Sequence, residues 1–144
     1  MDTFESILEK HPLDPYALHM AYFLALTTGH TSRMRDTPKS VLSHYKPSTP
    51  FFGNVHGKLS FGQSEMGEFQ VLFLLYPVIH PIMFPDYQAG ELSGRLALDH
   101  CRLDNWSHHA LAHNFEESNR PLQGSLFLAN TESDWKRVGL LRKI

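Results

Sequence analysis

The chain has 144 residues, a net charge of −2 and 19% charged residues, which fits one domain with a core of moderate size and leaves no basic stripe for nucleic acid and no polybasic tail for anionic membranes. Its single cysteine, Cys101, cannot close an internal disulfide, and the opening residues Met1 to Lys10 are acidic and amphipathic where a secretory signal is basic and then apolar. These features predict a reduced, cytoplasmic setting, in which the acceptor-like tripeptide Asn105-Trp106-Ser107 carries no glycan.

In chain order, Asp2 and Glu5 stand where a capping box opens a helix, and Phe4, Ile7 and Leu8 continue at helical spacing until His11-Pro12. This segment reads as the back half of an earlier hairpin. Residues 15 to 28 form the next helix, with Tyr16, Met20, Phe23 and Leu24 on its apolar face and Gly29 as its stop. A helix holding Met34, Val41 and Leu42 follows. Proline costs about 3 kcal/mol in a helix interior, so Thr37 is expected as the cap, with Pro38 in the first turn.

After the turn Pro47-Ser48-Thr49-Pro50, residues 51 to 66 carry Phe52, Val55, Leu59 and Phe61, with Gly67 as a stop. Residues 88 to 100 carry Ala89, Leu92, Leu96 and Ala97, weakened by Gly90 and Gly94 at about 1 kcal/mol each. Trp106 to Glu116 and Pro121 to Ala129 form a last hairpin, and Ser133 to Ile144 is a charged tail without a clear partner. Tyr16, Phe23, Phe52, Phe61 and Trp106 recur at helical spacing and are read as core.

One pattern occurs twice, ninety residues apart: Asp14-Pro15-Tyr16-Ala17-Leu18 and Asp104-Asn105-Trp106-Ser107-His108. Each places a turn residue and an aromatic at the start of a helix. A tetratricopeptide repeat spans about 34 residues, and its first-helix positions correspond here to Trp106, His109, Ala110 and His113, its second-helix positions to Leu122, Leu126 and Ala129. Hairpins of this kind bury their apolar faces by stacking. Together these features predict an all-α fold of stacked helical hairpins, an α-α superhelix spanning residues 1–144.

His11-Pro12-Leu13-Asp14, Met34-Arg35-Asp36, Ser60-Phe61-Gly62, Trp106-Ser107 and Ala112-His113, in this order and separation, resemble the tetratricopeptide repeat protein 38 family over residues 4–70 and 87–136. The resemblance implies an all-helical solenoid in the cytosol, in a family without an established activity. The chain departs from that family at Pro38, in stopping after about three hairpins, and in spacing. From Gly67 to Ser118 is 51 residues, about 17 more than one repeat accounts for.

The excess falls on Val71 to Pro85, an apolar run of 15 residues with three prolines, too short and broken for a membrane span. Residues 71–87 are therefore read as an irregular apolar insertion in the second hairpin, an extended or strand-like loop whose removal restores the repeat length, from an alternatively spliced transcript, with a native loop of the family as the alternative. With about three hairpins and no evident end cap, the chain is expected to be marginally stable, with a broad thermal transition.

The functional expectation is a protein-interaction scaffold. Repeat geometry assigns Ser107, Leu111, Asn114 and Phe115 to a groove for a protein or peptide partner, with Ala17, Ala21, Leu24 and Ala25 as their first-unit analogues. Two rivals stand beside it: a metal-dependent hydrolase built on His109 and His113 with His100, His108, Glu116 and Glu117 near, and a non-functional truncated product. Against the hydrolase, no Glu follows His109 as in zinc proteases, and in the repeat register both histidines replace packing residues. No cofactor motif is present, Cys101 beside His100 reads as a half-buried structural residue rather than a nucleophile, and no catalytic residue is assigned.

Overall fold

The computed structural model describes residues 2–65 and 86–138. Among the described residues it holds eight α-helices and no strand: α1 (Asp2–Lys10), α2 (Pro15–Thr27), α3 (Thr31–Val41), α4 (Phe52–Ser64), α5 (Tyr87–His100), α6 (Asn105–Glu117), α7 (Pro121–Asn130) and the single turn α8 (Glu132–Trp135). Short 3-10 turns follow at Leu42–His44 and Lys136–Val138.

The ninety-residue pattern has the same backbone in both places. The Asp14 carboxylate accepts from the Tyr16 and Ala17 amides at 2.9 and 3.0 Å, and Asp104 accepts from the Trp106 amide at 3.2 Å, so each aspartate caps the helix it precedes. Each helix also ends alike. Gly29 and Asn119 take left-handed φ of 71° and 57°, and the next amides, His30 and Arg120, return to Ala25 O and Phe115 O at 2.8 Å in both copies. Only three residues separate α2 from α3 and α6 from α7, whereas 22 separate α4 from α5.

Among the described helices, each from α1 to α7 packs on the one that follows it, and α4 also packs on α6. α4 is the central element, with every residue buried except Asn54 and Gln63. Its Phe52 and Val55 join Leu8, Leu18 and Val41 in one apolar cluster, and its Phe61 joins Tyr22, Met34 and Ala110 in a second.

Several local expectations are corrected. Asp2 and Glu5 form no capping box, because both carboxylates turn to Arg33 on α3, at 2.8 and 3.4 Å. The buried face of α2 is Ala17, Leu18, Ala21, Tyr22 and Ala25, while Tyr16 and Phe23 are 66% and 46% exposed. Small residues face inward because α2 lies close to its neighbours.

α3 runs unbroken through Pro38 rather than starting at Thr37, whose hydroxyl donates to Glu5 at 3.2 Å. Proline offers no amide to the Met34 carbonyl one turn earlier, and that carbonyl lies against Gly62 of α4, where a β-carbon would come within 2.5 Å of it. Only a residue without a side chain lets α4 approach the proline-containing turn of α3 this closely.

The glycines of α5 likewise form its packing face rather than its weakness. Gly90, Gly94 and Ala97 are buried, and Leu92 and Leu96 are 70% and 40% exposed. A β-carbon at Gly94 would meet Leu111 Cγ and Ser60 Oγ at 2.7 Å, so only glycine admits α4 and α6 this close.

Cys101 is exposed, not half-buried, because it follows the last turn of α5. The start of the charged tail has partners: Asp134 pairs with Arg102 at 2.9 Å, and Trp135 Nε1 donates to Leu128 O. The stop at Gly67, the end of the tail and residues 71–85 of the expected insertion lie outside the described residues. The last two residues of that insertion are described. Asp86 caps α5 by accepting from the Ala89 amide at 2.9 Å, and Tyr87 opens the helix.

Candidate functional site

α2, α4 and α6 meet in a cluster of aromatic and titratable side chains. Tyr22 lies edge-on to Trp106 at 6.0 Å, and Phe61 of α4 packs between Trp106, His109 and His113 at 5.1, 5.5 and 5.3 Å. The rings of His109 and His113 are one helical turn apart and 4.6 Å from centre to centre. His113 Nδ1 donates to Glu65 Oε1 at 3.0 Å, and that hydrogen bond raises the His113 pKa above its ordinary value. Burial lowers the pKa of His109, with the charge of His113 adding to the effect.

Lys58 lies beneath this face at 4% exposure, donating to Asn54 Oδ1, with its ammonium 5.8 Å from the centre of the Tyr22 ring. Burial pulls its pKa down to about 8 and pushes that of Tyr22 up. Tyr22 Oη, Trp106 Nε1 and Asn105 Oδ1 are buried without a hydrogen-bond partner. On the outer side of α2, His19 stacks on Phe23 at 6.2 Å, one turn beyond exposed Tyr16.

The groove assigned from repeat geometry is not an open one. Ser107, Leu111 and Asn114 are 0% exposed and Phe115 is 2% exposed. Ser107 donates to Asp104, Leu111 packs where Gly94 leaves room, and Asn114 donates to Ser64 Oγ and Tyr87 O at 2.9 and 2.8 Å. Phe115 lies under the Arg120 guanidinium at 5.0 Å. These side chains join helices, and their analogues Ala17, Ala21 and Ala25 are buried in the same way.

The outward positions of α6 are one residue round the helix, at His109 and its neighbours Trp106 and His113. A single-residue step turns the face by about 100°. The run of small residues at 17, 21 and 25 was the available signal, since inward small residues mark close helix approach.

Among the described residues, no group of three or more His, Cys, Asp or Glu is arranged to hold a metal ion. His109 and His113 spend their rings on Phe61, and His113 holds Glu65, so the imagined pair lacks a third ligand. Among the same residues, no helix is long and apolar enough to cross a membrane.

The ninety-residue repeat also produces two corresponding grooves. One of about 500 Å³ lies between α1 and α3, and one of about 960 Å³ lies between α5 and α7. Every residue lining the first has its counterpart ninety positions on in the second, from Glu5 and Arg95 to His44 and Asp134. The second is larger and adds Glu91, His108, Phe115 and Arg120 to its walls.

Compared with known proteins, the chain matches no family model and no solved structure.

Proposed function

We propose that this chain is a helical-repeat scaffold of tetratricopeptide type that binds an extended or helical segment of another protein. The observation that carries the reading is the set of exposed ring side chains on α2 and α6, Tyr16, His19 and Phe23 on the one and His109, packed on Phe61 of α4, on the other. Exposed aromatics on a rigid helical platform are the usual anchors of peptide recognition. The matching aspartate caps and turns ninety residues apart, and the packing of each described helix on the one that follows it, support stacked hairpins. The resemblance to the tetratricopeptide repeat protein 38 family points the same way. An exposed, unpaired Cys101 suits a reducing cytoplasmic setting.

A random-peptide display library screened against the purified chain tests the reading. Selected peptides are expected to lose at least about tenfold in affinity, or 1.4 kcal/mol, on Phe23→Glu or His109→Glu. They should bind Leu122→Glu, an exposed change on α7, as they bind the unaltered chain. Peptides indifferent to both face variants would refute the proposal.

A further inference from the structure

We propose that the groove between α5 and α7 binds an uncharged small molecule with an apolar ring and a hydroxyl or N–H donor, and that His108 Nε2 receives that donor. The two copies of the groove supply the comparison. At the position of Leu18, an ordinary core residue 2% exposed, the second copy has His108, 1% exposed. Its Nδ1 lies 3.0 Å from the Asp104 carbonyl oxygen. A carbonyl only accepts, so Nδ1 carries a proton, and in the neutral form of the ring Nε2 then bears a lone pair. That nitrogen is buried and has no partner. Packing alone would be served by leucine, as it is in the first copy.

The surroundings specify the guest. Phe127 lies beside the His108 ring at 5.8 Å where the first copy has Thr37, and Phe115 stands in place of Ala25, so the second groove has an aromatic wall. Its charges cancel. Arg95 and Arg120 share Glu91 at 2.7 Å each, Arg102 holds Asp134 at 2.9 Å, and Asp99 brings the carboxylates of the lining to three against three guanidinium groups. A charged guest would compete with these pairs, whereas a neutral donor meets the buried, unpartnered nitrogen of His108. Because Nε2 is buried, a guest reaches it by displacing Phe127, the ring that stacks beside His108. That side chain belongs to α7, in which only Gly124 is fully buried, and a guest ring replaces it against His108.

Phenol and toluene are the probes, alike in shape and differing in the donor. They are titrated into the full chain while binding and the His108 ring nitrogens are followed by NMR. Phenol is expected to saturate, to shift Nε2 selectively, and to bind roughly tenfold more tightly than toluene. His108→Leu, which restores the first-copy residue, should abolish the preference and keep toluene binding. Leu126→Trp, a change at a 56% exposed residue of the groove, should block both probes without loss of helix. Equal binding of the two probes, no saturation by phenol, or undiminished phenol binding to Leu126→Trp would overturn the proposal.

Discussion

Lys58 shows how one residue carries a cost that its helix must absorb. The unfolded chain holds this proton up to about pH 10.5, whereas the folded chain releases it near pH 8. The unfolded state therefore binds more protons between those values, and stability is expected to rise with pH from about 8 to 10.5. Lys58→Met keeps the stem and removes the charge. It should stabilise the chain by about 1 to 3 kcal/mol at pH 7 and flatten that rise, as read from urea unfolding at pH 7 and pH 10. A variant less stable at pH 7 would show that the ammonium is a net contributor. Gly62 makes the opposite case about propensity. Alanine is about 1 kcal/mol better than glycine in an isolated helix, yet its β-carbon here would meet backbone atoms of Met34 and Arg35 at 2.5 and 2.7 Å. Gly62→Ala is expected to cost about 1 to 3 kcal/mol in the same assay, and a gain would mean that α3 and α4 separate freely.

At the scale of the element, the helices that were legible are those whose ends are written in side chains. α2 and α6 each follow a capping aspartate and close on a residue at ease with positive φ, and both are rules that act within a few residues. Asp104→Ala should therefore destabilise the chain by about 1 kcal/mol, and Asp104→Asn by less, since asparagine still accepts from the Trp106 amide. Equal losses in thermal melts would place the role of Asp104 elsewhere, for example in its bond to the Ser107 hydroxyl. α3 and α5 were misread for a shared reason. Rules for proline and glycine describe a helix alone in water, and here Pro38 and Gly94 are answered by Gly62 and Leu111 on neighbouring helices.

For the whole molecule, α4 joins both apolar clusters, so the two halves of the chain are expected to unfold together rather than in the broad transition that composition alone implies. The long connection after α4 offers a second test. Ser60 Oγ donates to Gly90 O at 2.7 Å, and Asn114 bridges Ser64 and Tyr87, which holds the end of α4 beside the start of α5. Three residues close the sister hairpins. Deleting residues 67–85, which leaves Glu65, Met66 and Asp86 as the link and keeps the Asp86 cap, should preserve helices α1 to α7 and favour folding by about 1 to 2 kcal/mol, because a shorter connection costs less chain entropy to close. Circular dichroism and gel filtration decide the matter, and a less helical or aggregated product would show that the excised residues are part of the fold.

The sequence by itself determined the class of the fold, the starts and stops of α2 and α6 and the ninety-residue echo between them. Those depend on caps, turns and periodicity, which act over one or two helical turns. Tertiary structure alone decided which face of each helix is inward. It turned Tyr16 and Phe23 to solvent, buried Ser107, Leu111, Asn114 and Phe115, and put an unpartnered His108 nitrogen where the first copy has Leu18. The physical reason is distance between axes. Where glycine and alanine line an interface the backbones come together and the small residues become part of the core, while Tyr16 and Phe23, which sequence patterning counts as inward, are left at the rim.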